Sequence, residues 1–96
     1  MTVIDLDRAR VSILPHVRVS LGSDGAVLLD LDRGAYLSLN KVGGRIWGRL
    51  ADGAAPGTIA SELATSCRVD EQRVRADVER FLAEVQEKGL VRIEHE

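Results

Sequence analysis

The hydrophobic pattern of the chain changes its period once, at Asn40, and this change constrains the fold more than any other feature. Three segments before that point alternate apolar and polar side chains, as half-buried strands do: residues 16–21, 26–31 and 35–39. They are separated by residues 22–25 and 32–34, where Gly and Asp supply the backbone freedom that tight turns need. Three strands joined by short turns predict an antiparallel meander whose third strand lies at an edge of the sheet.

After Asn40 the apolar residues recur about every 3.6 positions, which predicts helices. The Asn40 side chain is expected to cap the first helix, which ends near residues 52–53. A second helix is predicted over residues 58–66. The third begins after Asp70, a good N-cap residue, and stops at Gly89. Its apolar face carries Val74, Val78, Phe81, Leu82 and Val85.

This order of elements predicts an α+β fold, a three-stranded antiparallel sheet followed by three helices. It is similar to a winged helix-turn-helix with the wing placed first. Residues 1–15 are mixed in character and are predicted to form a flexible N-terminal lead-in, so the domain is expected over residues 16–93. The short apolar tail at residues 90–93 is expected to cover the core or to pair with a strand.

Size and charge exclude several classes of protein. The 96 residues suit one small domain and leave no room for a catalytic domain beside a cofactor domain. With 13 basic and 15 acidic side chains the net charge is −2, which argues against binding to nucleic acid through overall charge. The N-terminal residues are charged, and no apolar run approaches the roughly 20 residues that cross a bilayer. We therefore expect a cytoplasmic protein with no nucleic-acid or membrane partner.

Side chains that carry chemistry are few and far apart. Cys67 is the one cysteine, so neither an internal disulfide nor a cysteine-based zinc site can form. The two histidines, His16 and His95, lie near opposite ends of the chain. Asp30 and Asp32 point the same way from one strand, and a structural role in capping that strand is favoured over a catalytic pair. We predict no enzymatic activity, no metal and no cofactor.

The third predicted strand is unusual for an edge strand. Residues 34–40 contain neither a charged residue nor a proline, the groups with which proteins normally protect an exposed edge. Two interpretations remain open. Either a partner peptide adds to this edge as a further strand, or the tail at residues 90–93 covers it. An uncovered edge would also let two copies of the chain pair as a homodimer.

Several short motifs occur in an order that is typical of one family. They are residues 35–40 (Ala-Tyr-Leu-Ser-Leu-Asn), residues 44–47 (Gly-Arg-Ile-Trp), Asp52-Gly53, the apolar Ile59, Leu63 and Val69, Asp77-Val78 with Phe81-Leu82, and Gly89-Leu90-Val91. This set resembles the PqqD-like fold, also called the RiPP recognition element, over about residues 15–93. The resemblance implies a three-stranded sheet with three helices. It also implies a non-catalytic function, because such domains bind the leader segment of a ribosomally made precursor peptide and present it to a modifying enzyme.

Within that family, a chain of this size with Ile46-Trp47 after Leu39-Asn40 looks most like the lasso peptide type. This resemblance implies two partners besides the leader, a cysteine-protease-type leader peptidase and an ATP-dependent cyclase. The alternative within the family is a PQQ-pathway peptide chaperone for a radical enzyme. The alternative outside it is a small winged-helix DNA-binding regulator. Against that, residues 70–96 contain five basic and eight acidic residues, a net charge that would repel DNA.

The resemblance also implies which residues bind the peptide. The leader would pair with the third strand and lie against the third helix. The pairing strand comprises Ala35, Tyr36, Leu37, Ser38 and Leu39. On the third helix, Val74, Val78 and Phe81 would line the floor of the groove, and Arg73, Asp77 and Arg80 would stand at its rim.

Overall fold

The segments of alternating side chains form strands, and the segments of helical period form helices, in the computed structural model, which describes residues 4–95. In chain order the elements are β1 (Ala9–Ile13), β2 (Val17–Gly22), β3 (Gly25–Asp30), β4 (Ala35–Leu39), α1 (Lys41–Ala51), α2 (Pro56–Cys67), α3 (Glu71–Glu87) and β5 (Val91–His95). The three predicted strands are β2, β3 and β4, which form an antiparallel sheet in that order. The predicted α+β class, with this sheet and three helices, is confirmed.

A two-residue turn joins β2 to β3, and the register sets Gly22 opposite Gly25. Gly25 has a φ of 150°. It also lies so close to the end of β4 that an added Cβ would collide with the carbonyl oxygen of Leu39. Glycine is the residue that meets both conditions, so this turn fixes where β4 must end.

The turn between β3 and β4 is built around Asp30. Its buried carboxylate accepts hydrogen bonds from the backbone N–H groups of Asp32 and Arg33, at 3.0 and 3.1 Å. Gly34 completes the turn with a φ of 65°. The structural interpretation of Asp30 is therefore confirmed, and it is the Asp32 backbone that takes part in the cap.

The helix α1 begins at a side-chain cap, whereas α2 begins at a proline without one. The Asn40 side chain accepts the N–H of Gly43 at 2.8 Å, which confirms it as the N-cap of α1. The helix α2 begins at Pro56, two residues earlier than predicted, because proline is well suited to the first turn of a helix. It ends at Cys67, because the following residue, Arg68, has a left-handed φ of 56°.

The helix α3 has the limits that the sequence predicts. The Asp70 carboxylate accepts the N–H of Gln72 at 3.0 Å. At the other end Gly89 has a φ of 74°, and the N–H of Leu90 donates to the carbonyl of Val85 at 3.0 Å. This left-handed stop directs the chain out of the helix and into β5.

The helices and the three-stranded sheet share one core. Its fully buried apolar side chains include Leu28, Ile46, Trp47, Ile59, Val78, Leu82 and Val85. Burial of one such side chain stabilises the fold by roughly 1.5–3 kcal/mol. Within residues 4–95, every buried side-chain nitrogen or oxygen has a hydrogen-bond partner. None of the helices in that range combines the length and the apolar character that a bilayer crossing requires.

The segment before β2 differs from the predicted flexible lead-in over residues 1–15. It contains β1, which pairs with β5 in an antiparallel register that sets Ala9 opposite His95 and Ile13 opposite Val91. The pattern of β1 is too short to predict a strand alone. Its partner lies at the far end of the chain, so only the tertiary fold brings the two together.

Residues ahead of β1 are also part of the folded unit. Ile4 and Leu6 are buried, and the Leu6 carbonyl accepts the N–H of Gly57 at 3.1 Å. The folded unit therefore begins well before residue 16. The first part of the predicted lead-in, residues 1–3, lies outside the described residues.

Candidate peptide-binding site

The hydrogen-bonding pattern of the sheet determines which backbone groups of β4 are open. The N–H of Leu31 donates to the carbonyl of His16 at 2.9 Å, just beyond the paired residues of β2 and β3. Bonded and non-bonded pairs alternate in an antiparallel ladder, so the even-numbered residues of β3 direct their backbone groups to β4. Their partners there are Ala35, Leu37 and Leu39. The N–H and C=O groups of Tyr36 and Ser38 therefore face away from the sheet.

The side chains of β4 divide between its two faces. Leu37 lies opposite the buried Leu28, and both face the helices, where Leu37 is half-buried against the core. Leu39 is placed in the same way one pair further along. Tyr36 lies on the opposite face and is 73% exposed. One side of this edge thus offers apolar side chains, while the open backbone groups belong to the residues between them.

No described segment covers the outer edge of β4. The tail interpretation required residues 90–93 to pair there, but β5 pairs with β1 instead. The carbonyl of Leu90 also accepts the N–H of Leu14, on the same side of the molecule as β1. Within residues 4–95, no hydrogen bond reaches the outward backbone groups of Tyr36 or Ser38.

The helix α3 runs beside β4 in the opposite direction and forms a groove with it. At one end, a Cβ added to Gly43 would lie 3.4 Å from the Cβ of Leu39 and 3.6 Å from the ring of Phe81. At the other end, Ala35 and Lys88 line the same cavity. The spans between these two ends are similar, because the seven steps from Phe81 to Lys88 rise about 10 Å along a helix and the four steps from Ala35 to Leu39 about 13 Å along a strand. The groove is therefore bounded by β4 and the C-terminal half of α3.

A cavity of about 170 Å³ occupies the end of the groove where β4 begins. Its apolar walls come from Leu28, Ala35, Leu37 and Leu90, and its polar margin from Asp30, Arg33 and Lys88. The Asp30 carboxylate is already bonded within the β3–β4 turn. The cavity therefore combines an apolar interior with two cationic side chains at its mouth.

Two side chains hold the end of α3 against the sheet. His16 Nε2 lies 3.0 Å from the carbonyl oxygen of Gly89, and the Arg33 guanidinium donates to the carbonyl of Lys88 at 3.2 Å. Arg33 thus satisfies the carbonyl of the C-cap residue, and His16 contacts the next carbonyl along the chain, just beyond the helix. They thereby fix the width of the groove at its cavity end. The sequence gives no sign of this role, because the contacting residues are far apart along the chain.

The structure places Val74 and Val78 in the core, not on the floor of a groove as the resemblance implied. They are 7% and 0% exposed. They lie on the helix stripe that Leu82 and Val85 continue, and that stripe packs inward. Phe81 differs, since it is only half-buried and reaches the groove beside Gly43.

The three predicted rim residues are exposed but do not all adjoin β4. Arg73 lies eight residues before Phe81, about 12 Å along the helix axis, and so stands beyond the end of β4. Arg80 is 3.5 Å from the carboxylate of Asp77. Of the three, Asp77 shares the stripe of Phe81, one helical turn away.

Two exposed residues of the groove margin escaped the sequence analysis. Glu84 and Lys88 follow Phe81 on the same helix stripe, at positions i+3 and i+7. The antiparallel course of α3 would have identified them, because it sets the end of the helix, not its beginning, beside the start of β4.

Comparison with known proteins identifies the family. A family model described as "Coenzyme PQQ synthesis protein D (PqqD)" matches residues 25–91, more than half of the chain. The chain belongs to the PqqD family. No curated protein matches it.

Two solved structures resemble this PqqD-like chain. One is TbiB1 in complex with the TbiA(beta) leader peptide, which is 34% identical, with a TM-score of 0.78 over 82% of this chain and 92% of that chain. The other is a lasso peptide synthetase B1 complexed with the leader peptide. It is 28% identical, with a TM-score of 0.80 over 86% of this chain and 98% of that chain. The resemblance to a RiPP recognition element is therefore confirmed.

Proposed function

We propose that this chain is a non-catalytic adaptor that binds the leader segment of a lasso-type precursor peptide. The leader adds as a strand to β4, and the adaptor presents it to a leader peptidase. The observation that carries the proposal is the uncovered, uncharged edge of β4 beside the apolar groove. The leader complexes of the two similar proteins support it.

Strand addition gives affinity through the backbone and selectivity through the groove. The N–H and C=O groups of Tyr36 and Ser38 would bond to the leader backbone, and each bond contributes about 0.5–1.5 kcal/mol net. Alternate leader side chains would then point toward α3. An apolar one would enter the cavity at Leu37 and Leu90, and an acidic one would meet Lys88 at its mouth.

The effect on processing would be one of proximity. Holding the precursor on the adaptor raises the effective concentration of the cleavage site at the peptidase, without any reacting group on the adaptor itself. The proposed partners are accordingly the cysteine-protease-type leader peptidase and, after leader removal, the ATP-dependent cyclase.

A titration of the full chain against fluorescently labelled leader peptide tests the function. The leader should come from the precursor encoded with this chain, with a scrambled leader and a 20-base-pair DNA duplex as controls. We expect the polarisation to rise with the leader at micromolar or tighter affinity and with neither control. Binding to DNA alone would overturn the adaptor function and leave the family fold without the family's function.

The family model favours one further candidate, a peptide chaperone of the PQQ pathway. The same titration decides between them when a PQQ precursor peptide is included. Tighter binding to that peptide than to the lasso leader would assign the chain to a radical-enzyme pathway. A homodimer through β4 would appear as a species that the leader dissociates, because both need the same edge.

A further inference from the structure

A second concave surface lies at the opposite edge of the sheet, on its helix side, between β2, α1 and α2. Its volume is about 570 Å³, and Val19 and Leu21 of β2 form one wall. Ile59 and Leu63 of α2 line the facing wall. We call this surface the β2 recess. It shares no lining residue with the cavity in the groove of β4.

The apolar wall of the β2 recess is left uncovered by the fold. Val19 lies opposite Leu28, so both direct their side chains to the helix side of the sheet. Leu28 is buried by the helices, whereas Val19 is 42% exposed and Leu21 72% exposed. The helices therefore leave two neighbouring aliphatic side chains on the core face of the sheet in contact with solvent, and a partner that covered them would remove this apolar surface from water.

The backbone beside this wall is also open. In β2 the odd-numbered residues face away from β3, by the alternation described above. Val17 is protected, because its N–H donates to Leu14 at 3.2 Å and its carbonyl accepts the Arg18 guanidinium at 3.1 Å. For Val19 and Leu21, no such hydrogen bond occurs within residues 4–95.

Two arginines at the margin of the β2 recess differ in their partners. Arg49 is bound by Glu62 at 3.1 Å and by Asp52 at 3.2 Å, and hydrogen bonding and charge from Glu62 raise the pKa of Arg49 above its ordinary value. Arg45 instead donates to the side chains of Ser66 at 3.0 Å and Cys67 at 3.7 Å. Among the described residues, no carboxylate pairs with Arg45. An occupant carrying an Asp or Glu would complete this margin.

We propose that the β2 recess is the docking site of the leader peptidase. The peptidase would place aliphatic side chains over Val19 and Leu21 and a carboxylate against Arg45. The inference rests on the proposed function, because it assumes that the adaptor delivers a bound leader to that enzyme. β2 and β4 are opposite edges of one sheet, so leader and peptidase would bind at the same time without competing.

The test measures two affinities for the same variants of the full chain. Leu21→Asp and Arg45→Glu alter the β2 recess, and Leu31→Asp is the matched control. Leu31 is an exposed leucine, 58% accessible, that does not line the recess. The binding of each variant to the purified peptidase and to the labelled leader is titrated separately. We expect Leu21→Asp to weaken peptidase binding at least tenfold and Arg45→Glu several-fold, while Leu31→Asp is neutral and leader affinity stays within twofold.

Three other outcomes would contradict docking of the peptidase at the β2 recess, and each points to a different explanation. Unchanged peptidase affinity in Leu21→Asp would mean that the enzyme docks elsewhere. A dimer of the wild-type chain that Leu21→Asp dissociates, with peptidase binding intact, would assign the recess to a second copy. Leader affinity lost in Leu21→Asp would place the leader on β2. If the leader does not bind at all, the proposed function fails, yet the peptidase titration without leader still tests the recess.

Discussion

The two edges of the three-stranded sheet offer the same kind of backbone surface with different surroundings. Each leaves the outward groups of two residues open, Tyr36 and Ser38 on β4, and Val19 and Leu21 on β2. The β4 edge is uncharged and lies beside α3. On the β2 edge, the Arg18 side chain donates to the Val17 carbonyl and so closes one end. This edge borders a recess whose margin is basic at Arg45. One small sheet therefore has two open edges that differ in what flanks them.

The difference arises from where the chain termini go. The chain leaves α3 close to β4, so β5 would have only a short distance to cross in order to pair with β4. It pairs with β1 instead, which holds both ends of the chain together and leaves β4 open. The first and last strands thus pair with each other, and the uncharged edge of β4, which would otherwise be prone to aggregation, stays open.

The largest expected effect comes from a charge in the β4 groove. Leu37→Asp places a carboxylate at a half-buried position between Leu28 and the cavity. We expect leader affinity to fall by about 2 kcal/mol or more, roughly 30-fold, because the leader would have to desolvate that charge. Fluorescence polarisation measures the affinity, and circular dichroism verifies that the helices remain.

Leu21→Asp is the matched change at the other edge and should leave leader affinity within twofold. If the two variants exchanged their effects, the leader would bind to β2, and the comparison of the two edges would be reversed. Folded Leu37→Asp with full leader affinity would move the site away from both.

Neighbouring residues of α3 separate the groove from the core. Phe81 reaches the groove, whereas Leu82 is fully buried. We expect Phe81→Ala to weaken leader binding about tenfold, or about 1.4 kcal/mol. Leu82→Ala should cost about 2–5 kcal/mol of folding stability and lower Tm by at least about 8 °C. Thermal unfolding beside peptide titration distinguishes them. A Phe81→Ala variant that loses stability but not affinity would assign Phe81 to the core.

The smallest effect is electrostatic and compares the two halves of α3. Lys88 stands at the mouth of the cavity, so Lys88→Ala should weaken binding of an acidic leader by about 1.5–5-fold. The difference should disappear at 1 M salt, where the Debye length is about 3 Å. Arg73→Ala is the control, because Arg73 lies beyond the end of β4. If only Arg73→Ala showed a salt-dependent loss of leader affinity, the leader would bind along the N-terminal half of α3 instead.

Local patterns were sufficient to predict the strands β2, β3 and β4 and the three helices of this fold. The alternation in β2, β3 and β4 and the caps at Asn40 and Asp70 are carried by neighbouring residues, and the structure confirms both caps. β1 was missed because its pairing depends on β5, at the opposite end of the chain. A flexible lead-in was predicted there because the segment of β1 has no pairing partner nearby in the sequence.

The site was harder to predict than the fold, for a geometric reason. The sequence assigns Val78 and Phe81 to one apolar face, but only the packing of α3 separates buried Val78 from half-buried Phe81. The direction of α3 along β4 is also a tertiary property, so Lys88 was missed and Arg73 was included. β4 was predicted to be an unprotected edge strand because its lack of charge can be read from the sequence, and the structure leaves that edge uncovered.

Strand addition at β4 is the central claim, and one substitution tests it most directly. Ser38→Pro removes an N–H that faces outward and that no described residue uses, so the fold keeps its own hydrogen bonds. Val19→Pro makes the same change on β2. Leader titrations should show that Ser38→Pro weakens binding by about 5–30-fold, as the loss of about 1–2 kcal/mol requires, while Val19→Pro changes it less than twofold. Equal leader affinity for Ser38→Pro and wild type, with the fold intact, would contradict pairing at β4.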